Sequence, residues 1–353
     1  MGMPSVNVSF TEKASQAVTR GERGVVALII KDTAPAENPF TVINGKDIPQ
    51  SLSAGNKKQI ELALLGYQNT PKKIICYVVS EADTDYTEAL NYFEVEKFDY
   101  LAIPTVETDG KVQEIVSWIK AMRNEGKKYK AVLPNAEADN EGIINFTTVN
   151  IIAAEDSYTT EQYCARIAGL IAGTPLTISC TYAPLAEVVD CDRLTKAQMD
   201  AAVDTGSFFI FYDGDKVKVA RGVNSLVTAT QDKGSQFKKI KIVEVMDMIH
   251  DDITKTAQDS YLGKFSNSYD NKCLLISAIG GYFEQLIIDE ILSEASVDID
   301  VDAQRIYLKS KGVATDDLKD NEIRLYDTDD KVFLKASIKI LDAIEEIVLP
   351  INI

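Results

Sequence analysis

Gly24-Val25-Val26-Ala27-Leu28-Ile29-Ile30 is an unbroken apolar run, entered from Arg23 and left through Lys31-Asp32. A strand with one face in water alternates in polarity. A run with no polar position reads instead as a strand buried on both faces, the habit of parallel sheets covered by helices. The chain downstream supplies those helices. Asn56 to Leu65 reads as helix with Gly66 as its stop, Lys73 to Val79 as strand, and Thr84 to Phe93 as helix. Asp99 to Ile103 is again strand, Lys111 to Arg123 helix, and Tyr129 to Leu133 strand. Strands separated by helices of about 10–15 residues argue for βαβ units and a mixed, largely parallel sheet, an α/β domain. Thr160 to Ala172 is a further helix stopped by Gly173, and Thr195 to Val203 a short one. Phe208 to Tyr212, the Asp213-Gly214 turn and Lys216 to Ala220 read as a hairpin. The domain change is expected at this hairpin, with an α/β domain over 21–215 and a second domain over 216–345.

The last third opens with Arg221-Gly222-Val223-Asn224-Ser225-Leu226-Val227-Thr228. Ile242, Met246, Ile249 and Ile253 follow at 4-3-4 spacing, one face of a helix, and Asn271 to Leu292 is a second helix carrying Leu275, Ile279, Tyr282, Phe283 and Leu286. Val332, Leu334, Ala336, Ile338 and Ile340 alternate with Phe333, Lys335, Ser337 and Lys339 as a strand does. This second domain is therefore α+β. Gly280-Gly281 inside the helical run implies a close backbone approach or a kink.

Both ends are strand-like. Val6, Val8 and Phe10 alternate with Ser5, Asn7 and Ser9 over the stretch 1–20, and Ile347, Leu349, Ile351 and Ile353 with Val348, Pro350 and Asn352 over 346–353. Neither is joined by a short turn to a partner, and a lone strand is not stable alone. Pro350 cannot donate to a ladder, which places its strand at an edge. Two such arms suit addition to a neighbour's sheet, a head-to-tail contact that builds rings or open helices; they suit equally a fold back onto their own sheet.

Composition narrows the function. An apolar share of 45% and a charged share of 26% are those of an ordinary globular protein, and 353 residues suffice for two cores. With 37 basic against 54 acidic residues the net charge is −17, which disfavours nucleic acid and anionic membrane as partners. No secretory signal is read at Met1-Gly2-Met3-Pro4, and no apolar run approaches the roughly 20 residues of a membrane span. Cys76, Cys164, Cys180, Cys191 and Cys273 are scattered, without Cys-x-x-Cys, as expected of buried thiols in a cytoplasmic product.

No catalytic constellation stands out. The loop after Ile30, Lys31-Asp32-Thr33-Ala34-Pro35, has no glycine to cradle a phosphate, and no phosphate-loop motif occurs elsewhere. His250 precedes Asp251 and Asp252, but neighbours in a helix do not face each other, so it reads as the edge of a packed face. Asp298-Ile299-Asp300-Val301-Asp302 opens like a calcium loop, yet Ala303 and Lys309 stand where the turn glycine and bidentate glutamate belong; it reads as a half-exposed strand with its acids in water. Asp327-Thr328-Asp329-Asp330 reads as a turn, and Asn7-Val8-Ser9 and Asn145-Phe146-Thr147 as chance glycosylation triplets. No cofactor, metal or catalytic residue is expected.

An ordered set of features resembles the contractile phage tail sheath proteins, which also serve R-type phage-tail-like bacteriocins: Pro4 to Phe10, Gly24 to Ile30, Ala172-Gly173-Thr174-Pro175, Gly206, the Asp213-Gly214 hairpin, Val223 to Thr228, the helical pair and the alternating tail. Ser225-Leu226-Val227 departs mildly from a Thr-containing form. The resemblance implies a structural subunit, not an enzyme, that polymerises helically around an inner tube and contracts to drive that tube through a cell envelope. It implies an inner, tube-facing C-terminal domain, an outer α/β domain, and arms that complete the sheets of neighbouring subunits. The implied partners are further copies of the chain, a tail tube protein, and baseplate and terminator proteins at the ends, with no nucleic acid and no membrane insertion. The implied setting is a bacterial cytoplasm, with release of the phage tail or tail-like particle by lysis. Arg305, Lys309 and Lys311, a basic set in an acidic chain, are the candidates for facing the tube. The second reading is a doubly wound enzyme or ligand-binding protein, and the third an adaptor or surface-layer module.

Overall fold

The computed structural model describes residues 17–154 and 156–352, and these form two compact units. One comprises Gly21–Met248 and the tail from Asp342; the other comprises Ile249–Leu341 and the segment ending at Arg20. The division falls inside a helix, beyond the hairpin at which the sequence placed it. The hairpin packs with the larger unit because Val217 and Val219 join the same buried core as the central strand.

The larger unit is organised around β1 (Val25–Lys31). In chain order follow β2 (Phe40–Val42), α1 (Ala54–Leu64), β3 (Lys73–Val79), α2 (Thr87–Val95), β4 (Tyr100–Ala102), α3 (Val112–Asn124), β5 (Lys130–Pro134) and β6 (Ile143–Phe146). The unit continues with β7 (Ile151–Ala153), β8 (Ser157–Tyr158), α4 (Thr160–Ala172), β9 (Val188–Asp190), α5 (Lys196–Asp204), β10 (Ser207–Phe208), β11 (Ile210–Tyr212) and β12 (Val217–Val219). Seven strands form one sheet in the order β10-β6-β5-β4-β1-β3-β2, parallel throughout except for β2 against β3.

The apolar run is buried on both faces as its composition required. Val26, Leu28 and Ile30 join the core beneath α1 and α4, and Val25, Ala27 and Ile29 the core beneath α2 and α3. Each large side chain so buried contributes about 1.5–3 kcal/mol. Against α1, α4 closes to backbone contact: a Cβ on Gly169 would stand 1.9 Å from the Ala63 carbonyl oxygen. Gly66 ends α1 with φ +61°, where a side chain would be strained.

Three local features differ from, or were absent from, the sequence reading. The stretch Phe208–Tyr212 is two strands: Phe208 extends the main sheet beside β6, and Ile210–Tyr212 pairs with β12. β6 and the small β8-β7-β9 sheet are short and lack alternation, so they left no readable pattern. The helix α6 (Ile240–Thr256) is not amphipathic over its first half, where Lys241, Glu244 and Asp247 are buried along with Ile242, Val243 and Val245.

The smaller unit holds the second half of α6, a π-helical turn at Ala257–Tyr261, α7 (Tyr269–Ile288), β13 (Leu292–Ile299), α8 (Val301–Ser310), α9 (Asp320–Leu325) and β14 (Leu334–Ile340). Ala278, Ile279, Tyr282, Phe283 and Leu286 form the buried face of α7. Gly280-Gly281 marks neither a close approach nor a break: α7 runs through it, and a Cβ at Gly280 would make only ordinary contact with Val297 Cγ1 at 3.8 Å. β13 and β14 pair antiparallel from Leu292↔Ile340 to Ile299↔Leu334. The acidic stretch is not one strand in water. β13 stops at Ile299, and Asp300 instead caps α8, accepting from the Ala303 amide at 2.9 Å.

Candidate assembly surfaces

In a doubly wound sheet the ligand crevice lies outside the carboxyl ends of the strands where the order reverses, here between β1 and β4. That position is filled from within. Lys31 Nζ donates to Asp109 Oδ1 at 2.7 Å, the Tyr86 hydroxyl bonds Asp109 as well as Thr105 Oγ1 (2.8 Å), and the Lys31 and Asp109 side chains are nearly buried. Next to it, Asp32 accepts from the Ser53 amide and from Asn56 Nδ2, both at 2.8 Å, tying β1 to the start of α1. These groups bond one another and the backbone. Among the described residues no group of three His, Cys, Asp or Glu side chains is placed to hold a metal, and no helix is long and apolar enough to cross a membrane. His250 Nδ1 lies 3.2 Å from Asp251 Oδ1, so the adjacent acid does reach it, contrary to the helical-spacing argument, on a partly exposed surface.

At the opposite, amino-terminal end of the sheet lies a buried ionic cluster that the sequence did not reveal. Glu244 accepts from Arg23 Nε (2.9 Å) and the Tyr100 hydroxyl (2.5 Å), and Lys130 Nζ bridges Glu244 and Asp247 at 3.0 and 3.2 Å. Arg123 grips Asp247 with both terminal nitrogens at 2.9 and 3.1 Å. Burial alone would push the Glu244 carboxyl up; Lys130 and Arg23 outweigh it and hold the group at about 2. Burial pushes Asp99, which accepts from the Gly24 and Val25 amides, the other way. The cluster fixes the first half of α6 to the sheet.

The motif Val223–Thr228 is likewise structural. Asn224 is fully buried, donating through Nδ2 to the Phe237 carbonyl (2.7 Å) and accepting the Leu226 amide (3.0 Å). Ser225 Oγ donates to the Asn140 carbonyl at 2.9 Å, and the Val227 and Thr228 amides donate to Asp139, whose carboxyl is held at about 2 by the Thr228 side chain first and then by those two amides. Just upstream, Gly222 lies against Cys180 Sγ and Ser179 Oγ, each 2.9 Å from where its Cβ would be. Burial pushes the Cys180 thiol up to about 12.

The tail follows from that site. Glu345 is turned inward: Arg221 reaches it through Nε (3.1 Å) and a terminal nitrogen (3.0 Å), Thr181 Oγ1 donates at 2.5 Å and Ser179 Oγ at 3.2 Å. Asp342 pairs with Lys239, and Glu346 with Arg221 at 3.4 Å. Beyond this root the chain turns outward. Ile347 is 83% exposed, Val348 93%, Leu349 74% and Ile351 75%, and none of them is in a strand. Val6, Val8, Phe10 and Ile353 lie outside the described residues. In the smaller unit, neither β13 nor β14 has a second strand partner among the described residues. Their outward face sets Glu294, Ser296 and Asp298 opposite Lys339, Ser337 and Lys335. The basic set is drawn into its own surroundings: Arg305 donates to the Thr315 and Leu318 carbonyls and pairs with Asp320, Lys309 pairs with Asp316 at 2.6 Å, and Lys311 with Asp329 at 3.1 Å.

Sequence reasoning thus found the exposed tail but missed its root. Glu345-Glu346 ahead of an apolar alternation is a visible boundary, whereas its donors come from Ser179, Thr181 and Arg221, more than a hundred residues away.

Comparison with known proteins agrees with this architecture. The phage tail sheath protein central domain matches residues 82–225, and the phage tail sheath C-terminal domain residues 232–353. The tail sheath protein of Clostridium phage phiCD119 is 39% identical over 353 residues, covering 98% of each chain. Among solved structures, the sheath tail protein of Desulfitobacterium hafniense superposes with a TM-score of 0.71 at 21% identity, over 83% of this chain and 94% of that one. The anti-feeding prophage helical sheath in its contracted state gives 0.72 at 16% identity, over 100% of this chain and 99% of that one. By domain match and full-length identity the chain belongs to the phage tail sheath protein family, and its function is that of a tail sheath protein.

Proposed function

We propose that the subunit polymerises as a helical homopolymer around a tail tube, bounded by baseplate and terminator proteins, and that contraction of this lattice drives the tube into a target envelope. Such particles are assembled in a bacterial cytoplasm and released by lysis. Residues 1–20 and 346–353 act as arms that add strands to neighbouring subunits, the α/β region projects outward, and the C-terminal domain faces the tube. The observation that carries this reading is a mismatch within one chain. Four large apolar residues, Ile347, Val348, Leu349 and Ile351, stand in water at its end, while a two-stranded sheet has its edges unpaired among the described residues. Strand addition would satisfy both at once, supplying main-chain bonds to the edge and cover to the apolar side chains. For the tube, Lys309 and Lys311 on the exposed end of α8 remain the candidates, since Arg305 is engaged with two carbonyls of its own chain. No cofactor enters the work.

The test is deletion of residues 347–353 or 1–10, followed by thermal melting and electron microscopy of the purified protein. Arms that work between subunits leave melting near that of the full chain and abolish tubes. A clear loss of melting temperature would place the arm on its own subunit and end the linked-lattice reading.

A further inference from the structure

We propose that Glu345 is the positioning residue that fixes where, and in which register, the C-terminal arm leaves its subunit. The proposal rests on the arm reading above and names the contact that sets the arm's starting point.

A carboxylate turned inward between exposed apolar residues inverts the usual preference of side chains. The Glu345 side chain is only 8% exposed, while Ile344 and Ile347 are 86% and 83% exposed. The inversion persists because the receiving site is already built. Arg221 presents two donors, the geometry that suits a carboxylate, and Lys239 Nζ stands 3.7 Å away. Thr181 Oγ1 is fixed by the Gly222 amide, which donates to it at 3.0 Å, and by Ser179 Oγ at 2.8 Å. Gly222 permits this because its missing Cβ leaves room for Cys180 Sγ and Ser179 Oγ. Every donor belongs to the larger unit, so the site holds one point of an otherwise exposed tail.

That point determines register. Side chains on a strand alternate, so a slip of one residue turns every side chain to the other face. Counting from Glu345, Ile347, Leu349 and Ile351 fall on one side and Val348, Pro350 and Asn352 on the other. A tail held at Glu345 delivers the isoleucine–leucine face to its acceptor; a tail released there slides, at about 3.3 Å per residue, and offers Pro350 in its place.

The experiment compares the full chain with Glu345→Ala, Glu345→Gln and a chain lacking 347–353, reading amide hydrogen exchange over 342–347 in the free subunit, thermal melting, and tube yield with helical order by electron microscopy. Glu345→Ala is expected to speed exchange over 342–346 about tenfold or more, as loss of charge-assisted bonds predicts, with β1 and β5 amides unchanged. Melting stays near that of the full chain, and tubes become scarce or irregular. Glu345→Gln, which keeps an acceptor for Thr181, lies between. Unchanged exchange in Glu345→Ala overturns the proposal. Tubes that form without 347–353 overturn the arm reading and the positioning role with it. Tubes lost on that deletion but unaltered in Glu345→Ala overturn the positioning role alone.

Discussion

The sheets of the two units treat their polar groups in opposite ways. In the larger one, charges are taken inside and matched: Lys130, Arg23 and Arg123 against Glu244 and Asp247, with the crevice at the strand carboxyl ends closed by Lys31, Asp109 and Tyr86. In the smaller one, the antiparallel pair β13-β14 keeps an outward face of acids and bases and open edges among the described residues. A seven-stranded sheet helical on both faces is complete in itself. A two-stranded sheet with helices on one side is marginal by itself and gains most from further strands. Stability of the subunit should therefore be decided in the first unit, while the second offers the open edges that a neighbour's strand would complete.

The largest effect that bears on this contrast is expected from Lys130→Met. It leaves Glu244 and Asp247 buried with one cation fewer, at about 3–5 kcal/mol of subunit stability by denaturant titration. A loss much below that would mean water reaches the cluster and the first unit is less closed than described. Gly169→Ala comes next. The added methyl meets the Ala63 carbonyl and must push α4 from α1, at about 1–3 kcal/mol by the same measurement.

A pH scan probes the same cluster without mutation. Glu244 titrates in the folded chain at about 2, below its unfolded value near 4.5. Its contribution is present above the unfolded value and is lost as pH falls from about 4.5 toward 2. Asp99, pushed up by burial, works against it, contributing most below its unfolded value and losing that contribution as pH rises through its folded one. Replacing Glu244 with Gln should flatten the acid limb of the stability curve; a limb that stays steep would assign it to other carboxylates. The smallest effect on the fold is expected from replacing Lys335 and Lys339 with Gln. Both are exposed on β14, so melting should barely move, while tube formation falls if that face or edge meets a neighbour.

The same contrast explains what the sequence could tell. The Gly24–Ile30 run, the helix stops at Gly66 and Gly173 and the β14 alternation were legible because each is a local pattern tied to one burial geometry. β13 was not, since Ser293 to Asp298 is mostly polar or small and its strand character comes from pairing with β14. The burial of Lys241, Glu244 and Asp247 was hidden for the same reason, because it depends on cations distant in sequence. Arg305, Lys309 and Lys311 looked like a free basic set, and only the fold brings Asp320, Asp316 and Asp329 beside them.

Pro350 gives the exposed tail a further property. A stretch such as Ile347-Val348-Leu349-Pro350-Ile351 has the apolar, uncharged character that invites uncontrolled stacking when left in water. Proline lacks an amide hydrogen, so the strand can bond through one side while the other stays incomplete. Such a segment can be received by an edge yet makes a poor template for the next strand. In that sense Pro350 is a gatekeeper: it makes the exposed tail a poorer template for stacking, and the net charge of −17 adds repulsion between copies.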